Sequence, residues 1–271
     1  MANLWTCKLM LASAILVSSC VQIQAGQQVA DPVWPFQSEQ KMDEAIKKYA
    51  SNPLATYYVI KRAWEIHKAA EATLVYRSLL MAKPDDPYLQ SAYGFCQSMA
   101  YSAISSDFSN ASPSPAIDKV RGLQMEAGLY RDKAYAAKPN DPYILLERGV
   151  YLAYAFADYV TPARVCLRKA VGQAPKWADA HLWYANSLTE NSTIEGNTIE
   201  LNTDAIQEYK RAAELDPKLT SQSLLGESSA YSLLHQYSTA VNCIDQAISV
   251  DPKEANNPGV LRMRKAFVKL E

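Results

Sequence analysis

One spacing recurs five times along this chain and leaves few folds open to it. An alanine is followed four positions on by an aromatic, aliphatic or long side chain, three further on by a small or aliphatic residue, and five beyond that by a proline. The copies are Ala72-Tyr76-Leu79-Pro84, Ala127-Arg131-Ala134-Pro139, Ala163-Leu167-Ala170-Pro175, Ala205-Tyr209-Ala212-Pro217 and Ala240-Ile244-Ala247-Pro252. Positions i, i+4 and i+7 fall on one face of an α-helix, and small residues there let a neighbouring helix approach closely. A proline lacks the N–H that would continue the helix, so each copy reads as a helix with a marked stop.

An independent landmark precedes each of the last four copies. Gly94, Gly149 and Ala185 each lie ten residues after the preceding proline, and Gly226 lies nine after it. A small residue at a fixed distance predicts a second helix whose middle is closely approached. The segments Lys83-Pro-Asp-Asp86-Pro87-Tyr88 and Lys138-Pro-Asn-Asp141-Pro142-Tyr143 are near copies, with aspartate as N-cap and proline in the first helical turn. Units spaced by roughly 35 residues plus insertions predict an array of stacked helix pairs, and hence an all-α chain.

On these residues the chain resembles the tetratricopeptide repeat family, whose second helix carries the A-x3-F-x2-A…P pattern and whose first helix carries the small residue. The resemblance implies an α-solenoid of about five helix-turn-helix repeats over residues 41–271, with units ending near Pro84, Pro139, Pro175, Pro217 and Pro252. Residues 255–271, with Val260, Leu261, Met263, Phe267 and Val268, read as the cap helix that covers the last interface of a solenoid. Two amphipathic segments, 42–50 and 54–67, compete to be the first helix of the first unit. Polar stretches at 105–115 and 191–202 read as insertions, the first of them a loop followed by an unusually long helix from about Ala116 to Ala137.

The N-terminus has a different character. Lys8 followed by the apolar run Leu9–Val17 reads as an export signal within residues 1–25, too short to span a bilayer. Val17-Ser-Ser-Cys20 resembles a bacterial lipobox, which would make Cys20 a lipidated first residue of the mature protein; cleavage after Ala25 is the other reading. Acylation would hold the chain at a membrane surface without a transmembrane helix. Residues 26–40, with Asp31-Pro-Val-Trp-Pro-Phe36, read as a linker. The expectation is an exported protein of the cell envelope, lipid-anchored or free.

Charge and motifs narrow the chemistry. The formal net charge is −1, and loss of residues 1–19 removes only Lys8 and leaves −2, without the basic stripe that phosphate neutralisation needs. His67, His181 and His235 lie in different units and form no metal-ligand spacing, so no metal is expected. No phosphate-cradling glycine loop, G-x-S-x-G elbow, HExxH helix or C-x2-C pair occurs, so no cofactor and no catalytic residue is expected. Cys166 and Cys243 occupy equivalent points two units apart, too far to bridge in a solenoid. Asn110-Ala-Ser and Asn191-Ser-Thr read as chance sequons in polar insertions.

The family resemblance assigns a concave groove to the first helices, at fixed offsets from the small landmark. Its candidate contact residues here are Tyr88, Phe95, Met99, Tyr143, Leu146, Tyr154, Asp179, Leu182, Asn186, Glu190, Glu227 and Tyr231. Asn186 matches the asparagine of the family's carboxylate-clamping grooves, yet no lysine or arginine stands at any groove position. The implied partner is therefore another protein, as an extended peptide or helix with apolar anchors and a lysine or arginine. The expected function is a non-catalytic scaffold of the cell envelope. The alternatives are a solute- or glycan-binding protein or enzyme using the concavity as a pocket, and a self-assembling structural array.

Overall fold

The computed structural model describes residues 39–66, 68–108, 115–155, 160–195 and 198–271. The described chain is all α-helical, without a strand, in two compact units that part between Tyr154 and Ala155. The export-signal reading, Cys20 and the linker lie outside the described residues.

The N-terminal unit holds α1 (Glu39–Tyr49), α2 (Pro53–Glu65), α3 (Ala69–Ala82), α4 (Pro87–Phe108), α5 (Pro115–Ala137) and α6 (Pro142–Ala155). The C-terminal unit holds α7 (Val160–Gln173), α8 (Ala178–Glu195), α9 (Thr198–Leu215), α10 (Thr220–Leu233), α11 (Tyr237–Val250) and α12 (Pro258–Val268). Each of the five landmark prolines stands two residues past the end of a helix, where its missing N–H interrupts nothing. After Pro217 and Pro252 the chain tightens into short 3₁₀ turns before the next helix starts.

Six starts follow the capping logic, while α3, α10 and α11 begin without a side-chain cap. Asp86 Oδ1 accepts the backbone N–H groups of Tyr88 and Leu89 at 2.9 and 3.3 Å, and Asp141 Oδ1 does the same for Tyr143 and Ile144 at 3.0 and 3.3 Å. Asn52, Asp216, Asp251 and Asn257 cap in the same manner with a proline directly behind each. Local side chains thus satisfy amides that the helix itself leaves free.

The small landmarks are contact points. A Cβ on Gly226 of α10 would run into the ring of Tyr209 on α9, and one on Gly94 would lie 2.8 Å from Arg131 Cγ and 2.9 Å from the Ala127 carbonyl. In the C-terminal unit, Ala205, Tyr209, Ala212 and Leu201 of α9 are buried together with Leu182, Ala185 and Leu188 of α8. The cap helix closes the stack by placing Val260 and Met263, with the half-buried Phe267, against Leu225, Ile244 and Ala247. Leu261 and Val268, expected on its apolar side, are instead 46% and 47% exposed, since the packing against α10 and α11 takes up Val260, Met263 and Phe267.

Of the first insertion, residues 105–108 are helical and 109–114 lie outside the described residues. α4 continues to Phe108, and α8 and α9 leave only 196 and 197 between them, so the stretch at 191–202 lengthens a helix hairpin rather than forming a long polar loop. In the first turn of α9, Asn202 Nδ2 donates to the Thr198 carbonyl at 2.7 Å, and Leu201 beside it is buried. Cys96, Cys166 and Cys243 are buried and form no disulfide among the described residues.

Candidate functional site

The face expected to bind a partner is built separately in each unit. In the N-terminal unit, Tyr88 and Tyr143 begin α4 and α6 and keep part of their surface. The Tyr88 hydroxyl donates to Asp141 Oδ2 at 2.8 Å, while Lys138 Nζ sits 4.7 Å above its ring. Asp141 therefore caps α6 with one oxygen and holds Tyr88 with the other. Burial, with the Asp141 carboxylate nearby, pushes both phenols above their ordinary pKa, so they stay neutral donors.

Below these tyrosines the expected groove residues turn inward. Phe95 is 1% exposed and stacks on Tyr57 of α2 at 6.0 Å between centroids, so its ring joins α4 to α2. Met99 and Leu146 are buried as well. Tyr154 and Glu190 are residues of whose side chains nothing is described.

The core behind Phe95 is polar in a way the sequence pattern only hints at. Arg131 occupies the repeat position that holds tyrosine in two other copies, and it is 1% exposed. Its guanidinium lies 3.8 Å over the Tyr151 ring and donates to the Gly94 carbonyl and to Ser98 Oγ, leaving Nε and Nη1 unpartnered. Glu147 of α6 is also buried and accepts a hydrogen bond from the Ser91 hydroxyl. Burial holds the Arg131 pKa down at about 9 and pushes the Glu147 carboxyl up to about 7, with Ser91 and Arg131 pulling the latter partly back.

The C-terminal unit presents a different set. Asp179, Leu182, Asn186 and Thr189 of α8, and Ser223 and Glu227 of α10, are all buried, while Tyr231 is half-buried. Tyr209 organises this region: its ring fills the space left by Gly226, and its hydroxyl donates to Asn186 Oδ1 at 2.8 Å and lies 3.4 Å from Thr189 Oγ1. That bond orients the Asn186 amide and leaves its nitrogen as a donor. His181 is held between Glu208 at 2.5 Å and the Pro175 carbonyl at 3.1 Å, a structural role.

An open cleft of about 500 Å³ lies at the α10–α11 turn, lined by His235, Tyr237, Ser238, Thr239, Leu270 and Glu271. Its polar groups bond one another, with Ser238 Oγ donating to Glu271 at 2.7 Å and His235 Nδ1 2.9 Å from the Tyr237 hydroxyl. Among the described residues no cluster of His, Cys, Asp or Glu has the grouping to hold a metal ion, and no helix is long and apolar enough to cross a membrane.

Of the groove residues read from the sequence, Tyr88, Tyr143 and Tyr231 keep surface, and the other described ones are buried. Ser223, at a groove position of α10, is buried too, and Arg131 and Glu147 join from outside the groove positions. For Arg131 a signal existed, since a charged side chain stands where packing elsewhere uses tyrosine, leucine or isoleucine.

No protein-family model and no curated protein sequence matches the chain. Solved structures do. The crystal structure of TTC0263, a thermophilic tetratricopeptide protein of Thermus thermophilus, is similar at 14% identity over 80% of this chain and 98% of that one, with a TM-score of 0.51. YrrB, described as a tetratricopeptide protein with an unusual peptide-binding site, aligns at 15% identity over 83% of this chain and 97% of its own, with a TM-score of 0.47. The MamA protein aligns at 15% identity over 77% and 97%, with a TM-score of 0.46. At 14% identity the likeness to TTC0263 shows the fold alone.

Proposed function

With a tetratricopeptide-like, all-α fold as the premise, we propose that the chain is a non-catalytic scaffold that binds a segment of another protein on the first helices of its repeats. One observation carries the reading. The rows of α8 and α10 expected to face a partner hold Asp179, Asn186, Thr189, Ser223 and Glu227, nearly all buried, where helix packing alone would be served by aliphatic side chains. Half-buried Tyr231 beside them, and Tyr88 and Tyr143 in the other unit, add the broad amphipathic surface that recurs at protein interfaces. The absence of lysine and arginine from these rows argues for a partner that is apolar and basic rather than acidic.

The scaffold works at the cell envelope, exported by the N-terminal signal and anchored through an acylated Cys20. This part of the reading rests on the sequence alone. Labelling cells with radioactive palmitate tests it: incorporation that disappears in Cys20→Ala supports the anchor, and incorporation in neither protein refutes it.

Site-specific photo-crosslinking tests the binding face. A crosslinker at Tyr143 or Tyr231 should trap a discrete partner that one at the exposed Leu129 or Ile199 does not. Equal adducts from all four positions, or none from any, would refute the assignment of this face.

A further inference from the structure

Buried polar side chains in folded proteins almost always find partners, so those that do not require an explanation. On α10 two of them stand one turn apart on the same face. Ser223 is fully buried and its Oγ has no hydrogen-bond partner. Glu227, four residues on, is 6% exposed, and among the described residues its carboxylate takes part in no hydrogen bond and no ion pair.

The surroundings do not compensate for this. Lys210 of α9 influences Glu227 only at a distance, with its own side chain in solvent, and Cys243 of α11 is a buried thiol whose pKa burial raises to about 11. Tyr209, which could have served as a donor, is committed to Asn186 through the packing against Gly226. Desolvation consequently pushes the Glu227 carboxyl above its ordinary pKa, the reverse of what a structural ion pair does. Asn186 is tied to the same Tyr209 whose ring packs on Gly226, the residue before Glu227, and half-buried Tyr231 follows Glu227 one turn along α10.

We propose that Ser223 and Glu227 form a socket for the lysine or arginine side chain of the bound partner polypeptide, with Asn186 and Tyr231 at its mouth. This inference rests on the scaffold reading and specifies the partner chemistry for one unit. A cationic head group supplies several N–H donors in one place, which match the two carboxylate oxygens and the Ser223 hydroxyl, and its alkyl stem can lie along the Tyr231 ring. An ammonium or guanidinium delivered there meets a carboxylate already partly withdrawn from water, so the interaction is stronger than the same pair at a surface. Because only the ionised carboxylate pairs with a cation, and burial raises its pKa, binding weakens as the pH falls. An acidic side chain in the same place would meet a buried like charge and be rejected.

The experiment uses the full chain and an array of terminally blocked peptides in which one central position between apolar residues is varied among Lys, Arg, Gln, Met and Glu. Wild type is compared with Glu227→Gln, which keeps shape, and with Ser223→Ala, with folding of each checked by circular dichroism. The expected result is retention of Lys and Arg peptides at least about tenfold over Gln and Met peptides, with Glu peptides weakest, and loss of that preference in Glu227→Gln while apolar binding persists. If Glu227→Gln retains the preference for Lys and Arg, or if wild type shows none while still binding peptides, the socket is wrong and the scaffold reading stands. Binding of no peptide by the folded wild type overturns both.

Discussion

Changing Glu147 to glutamine should make the protein more stable above neutral pH and remove part of its pH dependence. Glu147 lies fully buried between α4, α5 and α6, bonded to the Ser91 hydroxyl, with Arg131, Asp141 and the buried Tyr76 and Cys96 as its electrostatic neighbours. Burial raises its carboxyl from 4.5 to about 7, so the folded state holds the proton more tightly than the unfolded chain does. The stability this contributes is complete below about pH 4.5 and is lost as the pH rises through about 7.

A displacement of that size corresponds to roughly 3 kcal/mol in total, of which about 2–3 kcal/mol falls between pH 5 and pH 8. For a chain of this size that is on the order of 5–10 °C in melting temperature. The glutamine carbonyl can still accept from Ser91 and never ionises. Urea and thermal unfolding followed by circular dichroism at pH 5 and pH 8 should therefore show wild type losing about 2–3 kcal/mol relative to Glu147→Gln over that interval. Arg131→Met should move the wild-type transition to higher pH, since the guanidinium is one of the groups that pulls the carboxyl down. Parallel stability curves for wild type and Glu147→Gln would refute the argument that this carboxyl is desolvated.

Two further outcomes follow from backbone and packing geometry. Gly226→Ala should destabilise the C-terminal unit by about 1–3 kcal/mol, because its Cβ meets the Tyr209 ring, whereas Gly172→Ala, with nothing within 4 Å, should be neutral or stabilising by up to about 1 kcal/mol; urea midpoints of the two variants separate the cases. His235 ends the α10 cap with φ of 59°, a left-handed conformation that glycine adopts freely, so His235→Gly should raise stability by about 1 kcal/mol, and a lower melting temperature would mean that the exposed contact with Tyr237 outweighs the strain.

The candidate site was only partly legible from the residues. Spacing from the small landmarks located the rows on α4, α6, α8 and α10, yet it treated Phe95 and Tyr88 alike. Phe95 is taken up by Tyr57 of α2, a helix whose place in the first unit the sequence left open, whereas Tyr88 at the helix start stays half-exposed under Lys138. Glu227 could be placed on the face but not known to lack a partner, because a carboxylate four residues from a serine is ordinary until the neighbouring helices are in position. Glu147 gave no signal at all, since nothing local distinguishes a buried glutamate on a first helix from a solvated one.

What the residues determined by themselves was the local grammar: all-helical structure, helices ended by Pro84, Pro139, Pro175, Pro217 and Pro252, starts capped by Asp86 and Asp141, and close approach at Gly94 and Gly226. Each of these acts through backbone geometry within a few residues, or through the plain absence of a side chain. The tertiary structure decided which side chains on those helices remain available. Exposure and acidity depend on the atoms that neighbouring helices bring within a few ångströms, and for Arg131, Glu147, Ser223 and Glu227 those neighbours come from other repeats of the chain or from other helices of the same one.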